Sequence, residues 1–199
     1  MTRLSTLFAL PILALADPAA AACATDHVST APVRVVTVDE EVSVFSMLPD
    51  GSVLELLTFP GDPLQSAIVT RKGFYLTALY DVQDGTEVPG SRVDYRFPVP
   101  LDDLPDVAPG GSFATVIKVD EGGIMSSQRQ SYGFGPLQTV SYGGCDYEMI
   151  EVTIAQATDG YIFTETIHYF PALGIGAFVA YQDDTGLEVY EIAAIEPAG

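Results

Sequence analysis

The sequence predicts an all-β fold: a curved antiparallel meander of about eleven strands forming a flattened or unclosed barrel or sandwich, with little helix. Three observations predict it. Short runs rich in Val, Ile, Thr, Tyr and Phe recur from Val33 to Ile195. Turn signals built on Gly, Pro and Asp separate them, as at Pro49-Asp50-Gly51, Asp84-Gly85 and Asp159-Gly160. No apolar periodicity of 3.6 residues runs through this part of the chain.

Residues 1–22 read as an export leader, which leaves residues 23–199 as one β domain. Arg3 supplies a positive start, residues 4–15 an apolar stretch, and Ala14-Leu15-Ala16 or Ala20-Ala21-Ala22 a small-residue cleavage site. No later run of about 20 apolar residues follows, so no transmembrane helix is expected. The expected location is periplasmic or secreted.

Cys23 and Cys145 are the two cysteines, and in an exported chain pairing is the expected state. Such a bridge closes a loop of more than 100 residues, for which chain entropy gives roughly 4–5 kcal/mol. The alternative is a lipid anchor on Cys23, which directly follows the second cleavage site. That signal normally carries Leu three residues earlier, where this chain has Ala20.

In order, strands are predicted over residues 33–38, 41–47 and 52–59, then over 67–72 and 74–82 around Gly73. A loop over 83–91 precedes a strand at 92–97. Residues 98–111 (PVPLDDLPDVAPGG) carry four prolines, which cannot donate ladder hydrogen bonds and exclude an interior strand. A helical turn at 101–104, or a crossover between two halves of the sheet, is expected there. Strands follow at 112–119, 124–132 (with a polar middle) and 137–142, the last two separated by a turn at Gly133-Phe134-Gly135-Pro136. Gly143-Gly144 reads as a break or bulge. The remaining strands are 145–156, 161–170, 175–182 and 187–195, with a corner at Pro171.

Several strands are apolar on both faces. Phe74, Leu76, Ala78 and Tyr80 oppose Tyr75 and Leu79, while Ile175, Ala177, Val179 and Tyr181 oppose Phe178 and Ala180. One-sided sheets alternate more cleanly, so a sandwich or a filled or ligand-holding barrel is implied.

With 8 Lys+Arg against 27 Asp+Glu, the formal net charge is −19. Nucleic acid and anionic lipid surfaces demand basic patches, so neither is an expected partner. The acids fall in pairs and one triple (Asp39-Glu40-Glu41), without the spacing of an EF-hand loop.

No nucleophile elbow, phosphate loop, dinucleotide glycine pattern or HExxH helix is present, so no catalytic residue, cofactor or metal ligand is assigned. Asp26-His27 lies near the mature N-terminus, where fraying is ordinary. The candidate polar site comprises His168, Glu165 and Glu151. Glu151 and Glu165 lie on strands joined at Asp159-Gly160, and two carboxyls approaching across a hairpin are what glycoside hydrolysis needs. Alternation on an extended strand puts Glu165 and His168 on opposite faces. Cys145 with His168 is a formal thiol–imidazole pair, against which export and a disulfide argue.

Three short motifs come in sequence: Leu-Pro-x-x-x-Pro-Gly-Gly-Ser-Phe from Leu104, Gly-Cys-x-Tyr from Gly144, and Tyr-Phe-Pro-x-Leu-Gly from Tyr169. In this order the chain resembles uncharacterised bacterial envelope proteins that look related to the lipoprotein-carrier sheet, an unclosed β-barrel that shelters acyl chains. The resemblance covers the second half and implies a curved sheet around an apolar groove. It carries over no binding residue. The expected function is a non-enzymatic envelope protein that binds an apolar small molecule or an envelope protein. A carboxylate-based hydrolase and a structural or adhesive surface domain are the alternatives.

Overall fold

The structure is a computed structural model that describes residues 22–158 and 160–199. The expected leader lies outside the described residues except for Ala22. The described chain is β1 (Val33–Thr37), β2 (Val42–Met47), β3 (Val53–Thr58), β4 (Gln65–Arg71), β5 (Tyr75–Gln83), β6 (Thr86–Glu87) and β7 (Val93–Arg96). After a 3-10 turn at Leu101–Asp103 come β8 (Ser112–Glu121), β9 (Ile124–Tyr142), β10 (Cys145–Thr158), β11 (Tyr161–Phe170), β12 (Ile175–Gln182), β13 (Leu187–Val189) and β14 (Ile192–Pro197).

All fourteen strands belong to one antiparallel sheet, in the order β13-β12-β11-β10-β9-β8-β7-β5-β4-β3-β2-β1-β14, with β6 paired to β5. The sheet curls without closing. Its two ends, β13 and β14, are successive segments of one chain and lie on β12 and β1 respectively. Between them Tyr190 N–H donates to Val179 O, and Val38 N–H donates to Glu191 O, so the linking residues also face both edges. Edge exposure is thereby reduced where a curled sheet is most open.

The longest strand overturns one expectation. Gly133-Phe134-Gly135-Pro136 is no turn; β9 runs through it for 19 residues. The register against β10 shifts there, passing from Leu137↔Ile150 to Phe134↔Val152, so two residues of β9 oppose one of β10. Pro is tolerated in a strand at such a bulge. The strands approach closely at Gly133, while Gly135 has room for ordinary contact. A Cβ on Gly133 would lie 2.8 Å from Thr153 Oγ1, and one on Gly135 would lie 3.4 Å from the Glu151 Cβ. β10 also changes the face it buries at this point. Cys145, Tyr147 and Met149 enter one core cluster, whereas Ile150, Val152 and Ile154 enter the other. One strand thus serves two cores.

Gly143-Gly144 forms the two-residue turn between Tyr142 and Cys145, not a bulge. Both residues have positive φ (60° and 82°), as a tight hairpin of matching twist requires. The β10–β11 connection is also two residues long, as expected, although Asp159 lies outside the described residues.

Residues 97–111 are not a crossover, because β7 and β8 pair directly. They plug one end of the curl. Leu104 is buried with Phe74, Tyr75 and Tyr132, while Lys72 Nζ donates to Leu104 O and Tyr75 Oη to Pro105 O. Arg71–Asp102 and Lys72–Asp106 ion pairs tie the plug to the β4–β5 turn.

The Cys23–Cys145 disulfide forms, as expected. It engages the sulfur that a lipid anchor on Cys23 would use. It places the protein in an oxidising, extracytoplasmic compartment. Residues 24–31 do not fray: Ala24 N–H donates to Ile195 O and Val28 N–H to Leu173 O, with both side chains buried. Among the described residues no helix is long and apolar enough to cross a membrane.

Candidate functional site

The curled sheet carries a half-open cavity of about 350 Å³. Its apolar wall comes from both halves of the chain, with Val35, Leu57, Ile68, Leu76, Ile154 and Ile167 among its residues. A register shift opposite Val69/Thr70 brings Leu79 onto the same wall as Leu76, against the simple alternation expected of β5. At one end the backbone of the β4–β5 turn meets β12. A Cβ on Gly176 would lie 2.4 Å from Gly73 O, so only glycine permits the contact.

Two carboxyl groups reach this apolar space. Glu55 alternates inward with Val53 and Leu57 on β3 and is 7% exposed. Ser43 Oγ donates to its Oε1 at 2.5 Å. Burial pushes the Glu55 carboxyl up to about 7, and the Ser43 hydrogen bond opposes the rise. Glu165 on β11 lines the same cavity. Burial also raises it to about 7, against a 2.6 Å hydrogen bond from Gln156 Nε2.

Glu165 ends a directional chain of hydrogen bonds. Tyr132 Oη donates to Gln130 Oε1 at 2.5 Å, Gln130 Nε2 to Gln156 Oε1 at 3.2 Å, and Gln156 Nε2 to Glu165. Gln130 Nε2 also donates to Gln128 Oε1. Each buried amide is satisfied, and each donor polarises the next, so the carboxylate is held at a defined place on the wall.

The three residues singled out from sequence separate. Glu165 faces the cavity, but Glu151 pairs across the hairpin with His168, and Glu165 pairs with Ile154. Three rungs therefore part the two glutamates, an odd number that puts them on opposite faces. The carboxylate pair of a glycosidase is not assembled. His168 is half-buried with its Nδ1 2.7 Å from the Tyr142 hydroxyl. Burial lowers its pKa while Glu151 pulls it up, a neutral imidazole in a structural contact. Cys145 is committed to the disulfide, which removes the thiol–imidazole pair.

Glu55 and the glutamines were missed. The signal for Glu55 was present: one acid inside Val53-Leu54-Glu55-Leu56-Leu57 must share a face with Val53 and Leu57. Gln128, Gln130 and Tyr132 stand two residues apart and so share a face, but a polar middle of the strand does not by itself say which face is buried.

No family model, curated protein or solved structure matches the chain. The site must therefore be read from its own geometry.

Ionisation of the cavity acids predicts an unusual pH response. The folded chain holds the Glu55 proton up to about 7, whereas an unfolded glutamate releases it near 4.5. Stability contributed by Glu55 is therefore full below 4.5 and declines as pH rises towards 7. At about 1.4 kcal/mol per pH unit the loss is on the order of 3 kcal/mol. Asp183, held down to about 2 by Thr185 and Tyr161, acts only in stronger acid, and His168 acts with the opposite sign. The difference between wild type and Glu55→Gln isolates the effect. Urea unfolding at pH 5 and pH 8 should show the variant gaining stability over wild type as pH rises; parallel responses would refute a buried, protonated Glu55.

Proposed function

We propose that this protein is an extracytoplasmic binding module, periplasmic or secreted, that shelters a small apolar molecule inside its curled sheet. The observation that carries this reading is the cavity: about 350 Å³, apolar-walled and bearing a few placed polar groups. That size and lining are typical of small-molecule sites. A filled core would have closed this space, because protein interiors pack to crystal density. The resemblance of three short sequence motifs to lipoprotein-carrier-like envelope proteins is consistent with this proposal, since that fold would place an unclosed curved sheet around an apolar groove.

The test is uptake of N-phenyl-1-naphthylamine, a weakly basic, uncharged probe whose fluorescence rises in apolar surroundings. Saturable binding with one site per chain is expected for the wild type. Ser66 lines the cavity, and Ser66→Phe should fill the space and abolish uptake while the far-ultraviolet spectrum stays unchanged. Absence of saturable uptake by the wild type, or equal uptake by the folded variant, would overturn the proposal.

A further inference from the structure

We propose that the cavity ligand is an apolar amine whose ammonium group is held by the Glu55 carboxylate. This rests on the cavity being a ligand site and names the chemistry of its occupant. The argument begins with what the cavity lacks. Its lining includes the carboxyls of Glu41, Glu55 and Glu165 and the phenols of Tyr132 and Tyr190, but no Lys, Arg or His. Five basic side chains are engaged elsewhere in ion pairs, Arg34 with Glu196, Arg71 with Asp102, Lys72 with Asp106, Arg92 with Glu87 and Asp94, and Arg96 with Asp120, and Lys118 and Arg129 are not among the cavity-lining residues. Once ionised, the cavity acids therefore have no positive partner among the lining residues, and a ligand is the group that can supply one.

Glu55 is the group that identifies the position. It is more than nine-tenths buried, yet a single hydrogen bond, from Ser43 to Oε1, is its whole set of side-chain partners among the described residues. A carboxylate has about four acceptor sites, so Oε2, which has no side-chain partner among the described residues, is left to a ligand in the cavity that Glu55 lines. An isolated buried carboxylate is costly, and an apolar residue at position 55 would suit the strand better. Glu165 differs, since Gln156 and the amide chain behind it already hold it.

The same inventory argues against other ligands. A fatty acid carboxylate would face three acids with no cation to receive it. A bare metal ion finds no group of three or more ligating side chains among the described residues. An ammonium on a hydrocarbon chain satisfies both parts of the site: its head pairs with Oε2, and its tail covers the wall of Leu57, Ile68, Leu76 and Ile154. Binding should also expel the Glu55 proton below neutral pH, because the ammonium favours the ionised acid.

Isothermal titration of the full mature chain at pH 7.5 with decylamine, decanol and decanoate, each below its micelle concentration, tests this. Decylamine should bind at least about tenfold more tightly than decanol, as one charge-assisted hydrogen bond allows. Decanoate should bind most weakly. In Glu55→Gln the preference for the amine over decanol should be lost, with an unchanged far-ultraviolet spectrum showing that the variant is folded. Equal affinity of decanol and decylamine in the wild type would overturn the amine assignment and leave the cavity reading standing. Loss of amine preference in Glu165→Gln but not in Glu55→Gln would overturn the assignment to Glu55. Failure of all three to bind would remove the cavity reading, and the amine with it.

Discussion

Phe74→Ala is expected to lower the unfolding free energy by about 3–5 kcal/mol, the range for truncating a buried aromatic residue. Phe74 is 1% exposed and follows the tight Lys72-Gly73 turn, which faces β12. Its ring packs on four others: Tyr75 at 4.3 Å between centroids, Tyr169 at 5.5 Å, Phe134 at 5.9 Å and Tyr132 at 6.3 Å. Most of these meet at a steep angle, the favoured arrangement of ring edge and ring face. Truncation removes buried area and edge-to-face contacts together. The surrounding rings belong to β5, β9 and β11, which are fixed by their ladders, so collapse into the void is limited. Phe74 also lines the ligand cavity, and the new void should open into it. Urea unfolding of wild type, Phe74→Leu and Phe74→Ala should give a graded loss; a loss below about 1 kcal/mol for alanine would show that this cluster does not support the fold.

Removing the disulfide through a Cys23→Ala, Cys145→Ala double substitution is expected to cost about 2–5 kcal/mol. The bridge spans 122 residues and joins the N-terminal segment to the tip of the β9–β10 hairpin. Without it the unfolded chain regains loop entropy, and the docking of residues 24–31 rests on few contacts. Hydrogen exchange should therefore show the amides of Ala24 and Val28, now bonded to Ile195 and Leu173, losing protection first, while the central rungs of β9 and β10 keep theirs. Unchanged protection of Ala24 and Val28 would mean that the segment is anchored without the bridge.

The hairpin tip is where sequence reasoning was most and least successful. Paired cysteines, the Asp159-Gly160 hairpin and the Pro171 corner were legible because each is a local signal with a local cause. The helical turn at Leu101–Asp103 was legible for the same reason. The continuity of β9 through Gly133 and Pro136 was not. Glycine and proline punctuate chains in general, and only the partner strand β10 shows that here they mark a bulge. The polar middle of β9 was seen, yet its direction was not, since Gln128 and Gln130 are wet or buried according to what lies opposite. Glu165 and Glu151 were named together because they flank one hairpin, but a register of Glu151↔His168 puts them on different faces.

Period-two alternation, turn residues and cysteine count are properties of short stretches, and by themselves they determined an all-β, disulfide-bonded, antiparallel chain. Register, bulges and the curl of the sheet depend on partners far away in sequence, and each bulge moves the next residues to the other face. Only the tertiary structure could therefore decide that the sheet curls around a cavity and that Glu55 and Glu165 line it. It also decided that, among the described residues, no cationic side chain lines the cavity with them.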